Sequence, residues 1–141
     1  MGTRSSIGVM HGDKIKAVYC HWDGYLSHNG RILYEHYTSS RANQLVALGN
    51  LSSLGERVVP AESQVHTFDN KQKGVCVFYG RDRGEHGQEF QVYHSLAEWA
   101  DNVDYEFLYV MKDNVWYVST DGLILEPLED ALALDEAHNG N

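Results

Sequence analysis

Short apolar runs recur along the chain, and Gly, Asp and Asn stand between them. Side chains that alternate between apolar and polar with a period of two are typical of strands with one buried face. Three of the joints, His11-Gly12-Asp13, Asp113-Asn114 and Asp121-Gly122, have tight-turn composition and predict β-hairpins. The run at 74–79 is apolar throughout and predicts a central strand, with 90–94 as its partner. The runs interpreted as strands are residues 6–10, 14–21, 74–79, 90–94, 105–112, 115–120 and 123–125.

Helical spacing of apolar residues appears only in short segments. Ser95 followed by Glu98 is a capping box, in which each residue satisfies a backbone N–H at the start of a helix. The second helix is expected to end at Gly49, since glycine readily adopts the backbone conformation that terminates helices. Candidate helices begin at residue 32, at Ser39 or Ser40, at Ser95 and at Pro127.

No strand candidate alternates with a long helix in the manner of a parallel βαβ unit. The pattern therefore predicts an α+β fold, with a mostly antiparallel sheet and short helices packed on one face. We expect residues 1–141 to form a single globular domain, with residues 135–141 as a frayed acidic tail.

Composition narrows the class of protein. The 141 residues are 43% hydrophobic and 22% charged, which is typical of a globular domain. No apolar run approaches the ~20 residues of a membrane-spanning helix, and residues 1–8 lack the apolar core of a secretory leader. We therefore expect a cytoplasmic protein with no membrane contact. In such a reducing compartment Cys20 and Cys76 are expected to be free thiols.

Charge is distributed unevenly along the chain. Residues 1–94 carry ten Lys and Arg against nine Asp and Glu, whereas residues 95–141 carry one Lys against eleven acids. An acidic surface without a basic stripe disfavours general nucleic-acid binding, because the phosphate backbone would be repelled. The acidic third favours a basic protein partner, or alternatively serves only to keep the protein in solution.

The motifs near the amino terminus are distinctive. They are Gly2-Thr3-Arg4-Ser5, Tyr19-Cys20-His21-Trp22-Asp23-Gly24-Tyr25 and His28-Asn29-Gly30. In these motifs, and more broadly over the first 95 residues, the chain resembles a family of small uncharacterised proteins of tailed bacteriophages. The resemblance implies a phage origin and expression in the host cytoplasm. It implies no activity, ligand or catalytic residue.

A cluster of possible metal ligands follows the first hairpin. Thiolate, imidazole and carboxylate groups all bind zinc. Cys20 and His21 are neighbours on a strand and point to opposite faces, so the candidate ligands are His21, Asp23 and His28. Such a set, with one open position, would suit a metal-assisted hydrolase. In the structural alternative Cys20 packs in the core, Asp23 makes a turn and His21 bonds a carbonyl.

A second set of residues combines guanidinium, aromatic and carboxylate groups. Arginine binds phosphate or carboxylate through paired N–H groups, and aromatic faces stack on bases. The set therefore predicts a pocket for a nucleotide or another small anion. In the alternative, the charges of residues 81–85 satisfy one another across a loop, since no phosphate-binding glycine motif is present. The candidate ligand-binding residues are Arg4, Trp22, Asp23, Tyr25, Arg81 and Arg83.

No catalytic residue and no cofactor can be assigned, because no nucleophile elbow or other catalytic motif is present. One further candidate surface is the strand face that carries Tyr105, Phe107, Tyr109 and Met111, which either lines the core or forms an interface. The favoured hypothesis is a small phage accessory protein that acts by binding in the host cytoplasm, first of all to a host protein. The alternatives are a protein that sequesters a nucleotide or small anion, and a metal-assisted hydrolase.

Overall fold

The computed structural model describes residues 3–62, 65–103 and 105–139. Its centre is an eight-stranded mixed sheet. The strands are β1 (Ser5–His11), β2 (Lys14–Cys20), β3 (Leu51–Ser53), β4 (Val77–Phe78), β5 (Gln91–Tyr93), β6 (Phe107–Lys112), β7 (Val115–Ser119) and β8 (Glu126–Pro127). The helices are α1 (Arg31–His36), α2 (Ser39–Ala47), α3 (Tyr79–Arg83), α4 (Leu96–Val103) and α5 (Leu128–Asn139), with a π-helical turn at Leu26–Gly30 before α1.

The strands follow the order β4-β3-β2-β1-β6-β7-β8, and β5 pairs with β2 beside β3. Most pairs are antiparallel, but β1 is parallel to β6 and β2 is parallel to β3. The predicted α+β class is confirmed. The parallel contact between β1 and β6 joins the amino-terminal hairpin to the carboxyl-terminal meander.

Two of the three predicted hairpin turns are present, and the turn residues explain them. The third prediction is wrong, because residues 123–125 are not a strand and β7 pairs instead with β8 after a longer connection. Asp113 and Asn114 have positive φ angles of 51° and 65°, which match the right-handed twist of the paired strands β6 and β7. Gly12, with φ of 63°, makes the corresponding turn between β1 and β2. Local turn chemistry therefore fixes the register of both hairpins.

Alternation along β2 divides its apolar side chains between the two faces of the sheet. On one face Val18 and Cys20 belong to the core that contains α1, α2 and α5. On the other face Ile15 and Ala17 pack with Trp99 of α4. Three helices thus cover one face, as expected for α1 and α2, and α4 covers the opposite one. No described helix has the length and apolar character needed to cross a bilayer.

The helix α4 begins as the capping box predicts, and its central tryptophan attaches it to the sheet. The backbone N–H of Glu98 donates to Ser95 Oγ at 3.0 Å. Trp99 is fully buried, and its Nε1–H donates to Ser6 Oγ at 2.9 Å. Ser6 Oγ in turn donates to the carbonyl of Val18 at 3.0 Å. This chain of hydrogen bonds joins α4 to β1 and β2.

The prediction of a central strand at residues 74–79 is wrong. Only Val77–Phe78 is a strand, and it lies at the edge of the sheet beside β3. The run is apolar because Cys76 and Phe78 pack with Leu54 and Val58 in the main core. An apolar run indicates burial and does not by itself give a position in the sheet. The predicted pairing of residues 90–94 with this run is also wrong, since β5 pairs with β2.

Two helix boundaries also differ from the prediction. The cap of α2 is Thr38, not Ser39 or Ser40, because Thr38 Oγ1 accepts from the backbone N–H of Arg41 at 3.3 Å. Helix α5 follows Pro127 as expected but continues to Asn139. Residues 135–139 of the predicted acidic tail are therefore helical, and residues 140–141 lie outside the described residues.

Two thiols and two phenols are buried in the core. Cys20 and Cys76 are free and buried, as expected. Burial raises the pKa of Cys20 to about 12 and also raises the pKa of Cys76. The pKa values of Tyr37 and Tyr109 are raised for the same reason. In the folded protein these groups stay protonated at pH values where they ionise in the unfolded chain.

Stability is therefore expected to decline at alkaline pH. The contribution of Cys20 is complete below its ordinary pKa of 9.0 and is lost as the pH rises toward about 12. Each group that ionises only when unfolded lowers the free energy of unfolding by about 1.4 kcal/mol per pH unit. Urea unfolding between about pH 8 and about pH 10.5 tests this, and Cys20→Ala should show a shallower decline. A free energy of unfolding that is constant over this range would contradict the prediction.

Candidate functional site

The loop after β2 folds back over the start of β1. The N–H of Gly24 donates to the carbonyl of Thr3 at 2.7 Å. A Cβ atom at Gly24 would lie 2.8 Å from both that carbonyl and the Cβ of Ser5, so only glycine fits. Asp23 precedes it with a φ of 57°. Asp23 and Gly24 therefore have a structural role in this loop.

Buried polar contacts hold this loop in place. Asn29 is fully buried, and its Nδ2 lies 3.4 Å from Cys20 Sγ and 3.2 Å from the carbonyl of Trp22. The hydroxyl of Tyr109 donates to the carbonyl of Gly24 at 2.6 Å. Because the Cys20 thiol has its pKa raised by burial, it is not a reactive thiolate. Much of the distinctive motif therefore serves the packing of the loop.

The predicted metal ligands are not assembled into a site. His21 Nδ1 is hydrogen-bonded to the hydroxyl of Tyr19, and His28 Nδ1 contacts Asn29 Oδ1 at 2.9 Å. The backbone carbonyl of Asp23 accepts a hydrogen bond from the N–H of Asn29 at 3.2 Å. Within residues 3–62, 65–103 and 105–139, no group of three or more His, Cys, Asp or Glu side chains is placed to hold a metal ion.

The guanidinium group of Arg81 makes its contacts with other residues of the protein. Its Nε and one terminal nitrogen lie 2.9 and 3.0 Å from the two carboxylate oxygens of Asp82. Its terminal nitrogens also donate to the carbonyls of Val58 and Cys76. The guanidinium group stacks on Phe78, at 4.7 Å from the ring centroid. The charges of Arg81 and Asp82 thus satisfy each other, as in the alternative interpretation of residues 81–85.

The other predicted ligand-binding residues lie in separate surroundings. Arg83 pairs with Glu85 at 3.1 Å and stacks on Phe68. Arg4 is exposed, as are Trp22 and Tyr25, whose exposed fractions are 42% and 41%. In four surface clefts of the described part of the chain, no cleft is lined by more than one of the six predicted residues.

A buried histidine near α3 was not singled out by the sequence. The side chain of His66 is 1% exposed, and its Nδ1 accepts from the backbone N–H of Gln72 at 3.0 Å. Nε2 must then carry the proton, and it faces the carbonyl of Cys76 at 3.0 Å and Asp82 Oδ2 at 3.3 Å. This neutral tautomer ties residues 66–72 to β4 and α3, so His66 is a structural residue.

The largest of the four clefts lies where α1 meets α2, beside the β6–β7 turn and the start of α5. We call it the Trp116 cleft; its volume is about 540 Å³. Trp116 and Tyr37 are buried at its base, and the Nε1–H of Trp116 donates to the carbonyl of Tyr37 at 2.9 Å. The lining residues are Tyr34, Tyr37, Thr38, Ser39, Met111, Asn114, Val115, Trp116, Pro127 and Glu129.

Electrostatics in the Trp116 cleft favour a cation. Among the described residues that line the cleft, only Glu129 carries a charge at neutral pH. The pKa of Tyr34 is raised by partial desolvation and then by the charge and hydrogen bond of Glu129. Tyr34 is 43% exposed, so its ring forms an accessible wall next to the carboxylate. Aromatic faces beside a carboxylate attract positively charged groups.

Comparisons with known proteins identify no relative of this chain. Scans of protein-family models and searches of curated proteins and solved structures find no match. What the Trp116 cleft can bind follows from its own chemistry.

The aromatic row of β6 belongs largely to the interior. Tyr109 and Met111 are buried in the main core, and Phe107 packs against it. Tyr105 precedes the strand and packs on the α4 face instead. The alternative in which the row lines the core is therefore the one observed for β6. The sequence does not indicate the Trp116 cleft, because its residues come from three separate stretches of the chain, 34–39, 111–116 and 127–129, each of which has an ordinary helix or strand pattern.

Proposed function

We propose that the protein acts by binding a basic segment of a partner protein, with a Lys or Arg side chain of that segment in the Trp116 cleft. The observation that carries this proposal is the combination of Trp116, Tyr34 and the Glu129 carboxylate in one open cleft of about 540 Å³. A cation over an aromatic face is attracted by the negative face of the ring, and a nearby carboxylate adds direct charge attraction.

The charge around the cleft supports a basic partner. Exposed acids lie at the start of α5, where Glu129 and Asp130 occupy its first turn, and Glu126 lies in the adjoining strand β8. The chain as a whole carries a formal net charge of −9. An acidic surface of this kind steers basic partners toward it and repels nucleic acid. The resemblance to tailed-phage proteins supports a host protein as the partner and the host cytoplasm as the place of action.

Peptide binding tests the proposal. We expect fluorescently labelled oligolysine and oligoarginine peptides to bind the protein, measured by fluorescence anisotropy, and oligoglutamate not to bind. Glu129→Lys should weaken binding by about tenfold or more, because it places a positive charge where the cation binds. Tyr34→Ala should weaken binding by roughly threefold to tenfold through loss of the accessible aromatic wall.

The matched control for Glu129→Lys is Asp101→Lys. Asp101 is exposed on α4, on the opposite face of the sheet, so its replacement changes the net charge by the same amount away from the cleft. This variant should bind the basic peptides with nearly wild-type affinity. Equal weakening by both variants would show non-specific attraction to an acidic protein and would contradict a role for the cleft, as would failure of both basic peptides to bind.

A further inference from the structure

A second pocket lies on the α4 face, at a gap in the pairing of β2. Strand β2 pairs with β5 through Ala17 and with β3 at Cys20. Between these contacts the N–H of Tyr19 donates to Oδ1 of Asn50 at 2.8 Å, so a side chain takes the place of a neighbouring strand. The pocket at this gap has a volume of about 180 Å³. It is smaller than the roughly 300–1,000 Å³ of pockets for drug-sized ligands and suits a ligand with a single ring.

The lining of this pocket is aromatic and polar, and none of the described residues that form it carries a charged side chain. The rings of Tyr19 and Tyr105 are in contact, with centroids 5.2 Å apart. Three carboxamide side chains, those of Asn50, Gln91 and Asn102, add polar groups from three further segments. The lining residues are Ser6, Ala17, Val18, Tyr19, Asn50, Gln91, Tyr93, Asn102, Val103 and Tyr105.

Several polar groups of the lining have no hydrogen-bond partner among the described residues. They include the hydroxyl groups of Tyr93 and Tyr105 and the carboxamide of Gln91. The Nδ2 group of Asn102 donates to the carbonyl of Glu98 at 2.7 Å, which leaves Oδ1 of Asn102 as an open acceptor. Phenol and carboxamide groups each both donate and accept hydrogen bonds. The pocket therefore offers donors and acceptors to a ligand, together with aromatic surface.

This combination disfavours both charged and fully apolar ligands. A charged ligand would lose its hydration without meeting a counter-charge in the lining. An apolar ligand would cover the phenol and carboxamide groups and leave them unsatisfied, at the cost of desolvating each group. A neutral sugar ring avoids both costs, because its C–H groups form an apolar face and its hydroxyl groups lie around the edge.

We propose that this pocket binds one neutral sugar ring, which packs its C–H face against Tyr105 and bonds to Tyr93 and Asn102 through its hydroxyl groups. Each sugar hydroxyl both donates and accepts, as do the groups that it would meet. The site is independent of the Trp116 cleft, whose buried residues pack on the opposite face of the sheet. None of the six ligand-binding residues predicted from the sequence lines this pocket.

Titration with monosaccharides tests the site. The probes are D-glucose, D-galactose and N-acetyl-D-glucosamine. At least one of them should give saturable changes in the ¹H–¹⁵N spectrum at the amides of Tyr19, Asn102 and Tyr105, and none at Trp116. D-Glucuronate, which adds a carboxylate to the glucose ring, should bind about tenfold or more weakly than the neutral sugar, because the lining holds no counter-charge.

Tyr105→Phe should weaken binding of the sugar by roughly threefold to tenfold, since it keeps the ring and removes the hydroxyl group. The matched control is Tyr117→Phe, which removes the hydroxyl group of a half-buried tyrosine that packs on the same α4 face and does not line the pocket. This variant should bind the sugar as the wild type does. Asn102→Ala, at an exposed position of α4 where alanine favours the helix, should weaken binding by about threefold.

A linear trisaccharide of the same sugar distinguishes a free sugar from one residue of a longer glycan. Tighter binding than the monosaccharide, with added spectral changes outside the pocket, identifies the glycan, and equal or weaker binding identifies the single ring. Absence of saturable binding of all three monosaccharides up to about 50 mM would overturn the proposal. Equal binding of D-glucuronate, tighter binding of the neutral nucleoside adenosine, or equal weakening by Tyr117→Phe would also overturn it.

Discussion

Replacement of Trp99 by alanine is expected to lower the free energy of unfolding by about 3–5 kcal/mol. The indole is fully buried between α4 and the sheet, and its Nε1–H donates to Ser6 Oγ. A Cβ atom at Gly8 would lie 3.3 Å from Cη2 of the indole, which shows how closely the ring packs on β1. Truncation would leave a large cavity and remove the donor to Ser6. Urea unfolding followed by far-UV circular dichroism measures the loss.

Two further variants separate packing from hydrogen bonding at this position. Trp99→Phe keeps an aromatic ring and removes the donor to Ser6, so it should cost less than alanine while still destabilising the protein by about 1 kcal/mol or more. It also provides a measurement if Trp99→Ala does not fold. Trp22→Ala truncates the same residue type at a position that is 42% exposed and should cost about 1 kcal/mol or less. Equal losses at Trp99 and Trp22 would contradict the described packing of α4.

The elements that could be predicted from the sequence are those specified by adjacent residues. Asp113 and Asn114 tolerate positive φ and therefore form a hairpin turn wherever two strands flank them. Ser95 caps α4 through its own hydroxyl group, three residues from the N–H that it accepts. In these cases the interaction that stabilises the element lies within a few residues of it. A pattern in the sequence is then sufficient.

The arrangement of the strands could not be predicted, because distant segments determine it. Strand β1 pairs in parallel with β6, which follows it by about one hundred residues in the chain. Strand β5 pairs with β2 over Ile15–Ala17. This edge of β2 is available because β3 pairs with β2 only at Cys20. The apolar run at residues 74–79 correctly indicates burial, but it does not indicate which strand pairs with it.

The candidate site also combines features that adjacent residues determine with features that only distant segments determine. The loop motif around Gly24 is distinctive because the backbone approaches Thr3 and Ser5 closely, and that constraint is structural. By contrast, Trp116 and Tyr34 come from unremarkable strand and helix patterns and meet only after folding. The paired charges of residues 81–82 could be foreseen from their adjacency, whereas the contribution of His66 could not, since it reaches Asp82 from a separate segment.

Replacement of Asp82 by alanine is expected to lower the free energy of unfolding by about 3 kcal/mol. The side chain of Asp82 is 3% exposed and accepts from the backbone N–H of Phe78 at 2.8 Å as well as from Arg81. Its loss would leave that N–H without its partner and Arg81 without its counter-charge. The effect falls at the lower end of the range for buried pairs because the Arg81 side chain is 23% exposed and water can reach it. Urea unfolding at neutral pH measures the difference.

Asp82→Asn and Asp69→Ala complete the test. Asparagine keeps an oxygen that can accept from Phe78 and removes the charge, so its loss of stability should lie between those of the alanine variant and the wild type. Asp69 is an exposed carboxylate in the neighbouring segment, and its replacement by alanine should change stability by no more than about 0.5 kcal/mol. A loss as small for Asp82→Ala as for Asp69→Ala would show that the cluster of Asp82, Arg81 and His66 does not hold α3. Basic peptides should bind folded Asp82→Asn as they bind the wild type, because none of these residues lines the Trp116 cleft.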